Sequence, residues 1–66
     1  MISKLILIVL LNNLEELGAY DIDVSNYMVT FCTTPDKEPD VYDTFGFCGY
    51  RLRSYNYKNY IYYVIQ

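Results

Sequence analysis

The sequence predicts an α+β fold, with one N-terminal helix packed on a three- to four-stranded antiparallel sheet. Three observations carry that reading. Apolar residues recur at helical spacing from residue 3 to residue 17, the period changes to two from Ala19 onward, and the chain closes on an unbroken apolar run, Tyr60-Ile61-Tyr62-Tyr63-Val64-Ile65. At 66 residues the chain is read as a single domain over 1–66, because a chain this short buries only about 60% of the surface its unfolded form exposes and cannot supply two cores. It is 53% hydrophobic and 20% charged, too apolar for a disordered segment.

Over residues 3–17, Ser3 is placed to cap a helix N-terminus and Gly18 to end it. At 100° per residue, Ile6, Leu7, Leu10, Leu11, Leu14 and Leu17 form one apolar face, with Lys4, Asn12, Asn13, Glu15 and Glu16 opposite. Leu5, Ile8 and Val9 break the pattern by falling on the polar side, which points to a helix covered on both sides or docked on another chain. The competing reading makes residues 3–11 a strand, since Ile6, Ile8 and Val9 favour one. The seven apolar residues Leu5–Leu11 are far fewer than the ~20 that span a bilayer, and no small-x-small cleavage pattern follows, so they are read as fold rather than address.

Tyr20, Ile22 and Val24 alternate with Asp21 and Asp23, and Ser25-Asn26 then turns the chain into residues 27–32 as a hairpin. Residues 33–44 hold Pro35 and Pro39 among four acids and are read as a stiffened, solvated loop. A third strand is expected over Phe45–Ser54, with Gly46 and Gly49 marking a bulge or a close backbone approach, and with Cys48, Tyr50 and Leu52 on one face opposite Phe45, Phe47, Arg51 and Arg53. Residues 56–59 make the last turn, and the closing strand, apolar on both faces, is expected inside the sheet.

The chain has no histidine, and no nucleophile–base arrangement can be assembled around Cys32 or Cys48, so no enzyme, metal or cofactor is expected. Two cysteines cannot complete a structural zinc site. They allow one disulfide worth about 2–4 kcal/mol, or two packed thiols, and a single pair is sparse for a disulfide scaffold. Asp21 and Asp23, two apart on a strand, are expected on one solvated face. The stretch Asp36–Asp40 lacks the spacing of a calcium loop.

Charge is divided along the chain. Residues 15–43 carry all eight acids and only Lys37, whereas 44–66 carry Arg51, Arg53 and Lys58 with no acid; the net charge is −3. That balance argues against a general nucleic-acid binder. Nine tyrosines exceed what so small a core can hide, and tyrosine supplies rigid, amphipathic contact area at low entropic cost. The expected function is therefore a small acidic protein-binding module that inhibits or modulates a larger protein, through Asp36, Glu38, Asp40, Asp43, Tyr42, Tyr55 and Tyr57. A target with a basic surface, such as a nucleic-acid-handling, host-defence or repair protein, would suit those acids, by analogy with virus- and phage-borne inhibitors that act in the host cytoplasm. Two alternatives compete with this reading. One is a single-stranded nucleic-acid binder using a Tyr/Arg hairpin with Arg51, Arg53 and Lys58, and the other a self-assembling subunit or homodimer held by Leu5, Ile8 and Val9.

Overall fold

The computed structural model describes residues 3–25, 28–46 and 51–66. The N-terminal segment is a helix, α1 (Lys4–Glu16), and not a strand. Its ends are fixed by local chemistry. The Ser3 hydroxyl accepts the Ile6 N–H at 3.3 Å, satisfying one of the helix's free donors. At the other end Ala19 N–H reaches the Leu14 carbonyl and Gly18 N–H the Glu15 carbonyl, a Schellman motif whose left-handed residue is Gly18 at φ +76°.

Four strands follow in an antiparallel sheet of order β1-β2-β4-β3, made of β1 (Tyr20–Ser25), β2 (Met28–Thr33), β3 (Leu52–Asn56) and β4 (Ile61–Ile65). The expected closing strand is β4, and it is interior, paired on one side with β2 and on the other with β3. Of the expected Ser25-Asn26 turn, Ser25 ends β1 and Asn26 lies outside the described residues, as does Tyr27.

The expected loop over 33–44 is instead helical: a 3-10 turn, Pro35–Lys37, leads into α2 (Glu38–Phe45). Both prolines sit in the first turn of a helical segment, where a missing N–H costs nothing and a fixed φ is an advantage. Glu38 and Asp40 complement the helix dipole, and Val41 and Phe45, four apart, form its buried stripe. The third strand is also shorter and later than expected. Phe45 ends α2, and β3 begins only at Leu52; Phe47, Cys48, Gly49 and Tyr50 lie outside the described residues. Gly46 marks neither a strand bulge nor the approach of another backbone, because it stands at the end of α2 and not in a strand. It caps α2, and a Cβ there would stand 2.5 Å from the Tyr42 carbonyl oxygen.

Both helices pack on the same face of the sheet. Leu10 and Leu14 of α1 and Val41 and Phe45 of α2 join Val29, Phe31, Ile61, Tyr63 and Ile65 in one core. At its centre the Phe31 and Tyr63 rings stack at 4.9 Å, and Phe45 tilts onto Phe31 at 6.0 Å. The Tyr63 hydroxyl is satisfied by Thr33 Oγ1 at 3.3 Å. Burial foremost pushes the Tyr63 phenol above its ordinary value, with Glu38 and Tyr42 adding to the shift and the Thr33 bond opposing it. No helix among the described residues is long and apolar enough to cross a membrane.

Candidate interaction surface

Because both helices lie on one side, the other face of the sheet carries no second layer among the described residues. Its composition follows from strand parity. In β4 the odd residues Ile61, Tyr63 and Ile65 are buried, so Tyr62 and Val64 face the opposite way, and Tyr60 continues that parity. Register then sets the transverse rows. Tyr20 of β1 pairs with Cys32 of β2, Cys32 with Tyr62 of β4, and Tyr62 with Tyr55 of β3. The next row runs Asp23, Thr30, Val64, Arg53.

The first row grows into an aromatic platform. Tyr55 and Tyr62 meet at 6.2 Å, and one step further along the hairpin Tyr57 and Tyr60 stack at 4.8 Å with their planes 14° apart. Tyr57 N–H donates to the Tyr60 carbonyl at 2.9 Å, which holds those two residues across the turn. The Tyr20 phenol is pushed above its ordinary value by desolvation first, then by Cys32, Asp21 and Tyr60. Tyr20, Tyr55 and Tyr57 remain 41%, 46% and 53% exposed. Stacked rings with accessible edges and hydroxyls offer contact area that is already ordered, so a partner binding there pays little further side-chain entropy.

Cys32 lies at the floor of this platform as a buried, free thiol. Burial, then Asp21, pushes its thiol up, which lowers the thiolate fraction at neutral pH. Its counterpart Cys48 lies outside the described residues. Among the described residues no group of three or more His, Cys, Asp or Glu is placed to hold a metal ion.

Asp21 and Asp23 do not share a face as period two requires. Two residues, Asp21 and Ile22, oppose the single Phe31, and Asp21 takes a left-handed backbone at φ +52°. This bulge brings Tyr20 and Asp23, instead of Asp21 and Asp23, onto the open face beside Cys32 and Thr30.

The residues expected to bind a partner divide between the two layers. Asp36, Asp40 and Asp43 are exposed on the solvent side of the 3-10 turn and α2, whereas Glu38 is half-buried and close enough to Tyr63 to raise its phenol. Asp36 is held below the usual carboxylate range, chiefly by the Thr34 side-chain hydrogen bond. Tyr42 belongs to the helix side too. Its ring meets Tyr63 edge-on at 6.5 Å and its hydroxyl bonds Ser54 Oγ at 2.8 Å, tying α2 to β3. Only Tyr55 and Tyr57 of that set lie on the open face. Arg53 shares this face with Tyr55, two residues away on β3, and Arg51 continues the same parity while exchanging both backbone bonds with Gln66. Lys58 is exposed in the turn. Leu5, Ile8 and Val9 stand exposed on the outer side of α1.

Tyr20, Tyr60 and Tyr62 are surface residues that the sequence reading passed over. Their signal was the alternation of Tyr60 and Tyr62 with Ile61, Tyr63 and Ile65, which becomes readable once both helices are assigned to one side. The fold and surface together define a two-layer α+β module with an open, tyrosine-paved sheet. Comparison with family models, with curated proteins and with solved structures finds no match.

Proposed function

We propose that this chain is a protein-binding module that modulates a larger partner, and that its contact surface is the tyrosine face of the sheet. The observation that supports this is the gathering of Tyr20, Tyr55, Tyr57, Tyr60 and Tyr62 on the face that neither helix covers. Asp23 and Arg53, at opposite ends of the neighbouring row, supply charges of both signs at the rim, which suits a protein surface better than a polyanion. The module acts by occupying its target rather than by chemistry. Its acidic ridge on α2 contributes to the long-range field that attracts a basic target and not to the contact itself.

The test is an affinity pull-down from lysate of the native host with and without nuclease, read by mass spectrometry, using the wild type and a Tyr20→Ser, Tyr55→Ser double variant. A stoichiometric protein that survives nuclease and is lost with the double variant supports the reading. A protein retained equally by both forms moves the contact elsewhere.

A second reading is favoured by one specific feature, the placement of Arg51 and Arg53 on the same face as Tyr55. Rings that stack bases beside cations that follow a phosphate backbone are the parts of a single-strand binder. With only Arg51, Arg53 and Lys58 to neutralise phosphates, such binding would have a salt slope of about −2 on a log–log plot. Fluorescence anisotropy with a labelled oligonucleotide at low salt decides it.

A further inference from the structure

The charges of α1 run against its own dipole. Lys4 occupies the first turn, at the positive end of the helix, and Glu15 and Glu16 the last turn, at the negative end; no acid stands in the first turn and no base in the last. None of the three finds an ion pair among the described residues. Between them the outer side of the helix presents Leu5, Ile8 and Val9 at 78%, 58% and 59% exposure, directly opposite the stripe that Leu10 and Leu14 bury in the core.

We propose that α1 pairs antiparallel with α1 of a second copy of this chain, across a twofold axis beside Ile8 and Val9. A twofold interface must be self-complementary, and this helix is so in both hydropathy and charge. About that axis Ile8 of one copy faces Val9 of the other, and Leu5 lies over Asn12 with Val9 one turn away, so the apolar contact centres on Ile8 and Val9 and is edged by Leu5. At 1.5 Å rise per residue the antiparallel pairing also brings Lys4 of one copy within about 5 Å, along the axis, of Glu15 and Glu16 of the other, less than the reach of a lysine side chain. The two opposed dipoles offset each other's misplaced charges. A lipid surface would cover the apolar residues but leave Glu15 and Glu16 uncompensated, and so matches only half of the pattern.

Three side chains supply far less than the ~800 Å² per partner of a stable interface, so the dimer is a weak one. The surface lies on the helix layer, so the inference does not depend on the tyrosine face.

Sedimentation equilibrium of the full chain from about 5 to about 500 µM tests it. The wild type is expected to reach a dimer and no higher species. Val9→Lys, at an exposed position, should weaken association by roughly 50-fold or more, with the circular dichroism spectrum retained. Lys4→Glu alone, and Glu15→Lys with Glu16→Lys, should each weaken it several-fold while leaving the melting temperature of the monomer equal or higher, because each aligns the helix with its own dipole. Combining all three reversals restores the charge pairs but not the match to the partner's dipole, so it should recover most of the association lost to either reversal alone. A monomer throughout, a dimer indifferent to Val9→Lys, or tighter dimers from either reversal alone would overturn the proposal. So would a monomer that floats with phosphatidylcholine vesicles in a Val9-dependent manner.

Discussion

Tyr62 and Tyr63 are neighbours on one strand and have opposite fates. Tyr63 is fully buried, stacked on Phe31 and hydrogen-bonded to Thr33, while Tyr62 lies on the open face between Cys32 and Tyr55. The difference is parity alone, since strand side chains alternate. Residue type therefore assigned neither of them a role. What separates a core tyrosine from a surface tyrosine here is the decision of both helices to pack on one face, and the same decision leaves the other face open.

The contrast is broken most forcefully by truncating each face in turn. Phe31→Ala should cost about 3–5 kcal/mol, because the ring is wholly buried and its stacking partner Tyr63 loses its support. Chemical denaturation checks it, and in a chain this small that loss approaches the whole stability. Tyr55→Ala, on the open face of an edge strand, should cost less than about 1 kcal/mol by the same measurement. A comparable cost at both positions would mean that the open face is covered.

Titration sharpens the same contrast. Tyr63, Cys32 and Tyr20 all titrate above their ordinary values, burial or desolvation being the first cause in each. A group with a raised folded pKa holds its proton more tightly in the native state, so its contribution is fully present below the unfolded value and is lost as pH rises through the folded one. Thermal melts should therefore show stability that is steady below about pH 8 and falls as pH rises past the ordinary cysteine and tyrosine ranges. Tyr63→Phe should flatten part of that fall, and an unaltered profile would remove Tyr63 as a cause.

Much of this architecture was legible in local signals. Ser3 and Gly18 mark the ends of α1 because caps act through neighbouring backbone groups, and the periods of α1, β2 and β4 each concern a single segment. What escaped was either ambiguous or non-local. Pro35 and Pro39 read equally as loop stiffeners and as helix starts, and only the Val41/Phe45 stripe resolves the matter in favour of α2. The bulge at Asp21 breaks a period that the side chains themselves maintain. The open tyrosine face was half legible, since Tyr55 and Tyr57 were singled out, but the choice of face that joins them to Tyr20 and Tyr62 depends on contacts between distant segments.

Gly18→Ala tests the junction between the layers. An added Cβ would meet nothing within 4 Å, so the expected loss of about 1 kcal/mol comes from the left-handed backbone alone. Denaturant midpoints check it. A much larger loss would show that the turn from α1 into β1 is coupled to the packing of the helix layer.

The smallest expected effect concerns the ridge of Asp36, Asp40 and Asp43, which shares the helix layer and not the tyrosine face. Converting all three to Asn should slow association with a basic protein target several-fold and reduce its salt dependence, leaving the dissociation rate unchanged, because charges outside a contact act on the encounter and not on the bound state. Loss of Tyr55 should do the reverse and act on dissociation. Stopped-flow binding at two ionic strengths separates the two. If the Asn variant dissociates faster, the ridge is part of the contact, and the partner wraps from the helix layer onto the sheet. Stability provides an independent check, since Asp36 titrates below its unfolded value. Its bond to Thr34 contributes above the unfolded carboxylate range and is lost as pH falls through the folded value, a small acid-side slope that the Asn variant should lack.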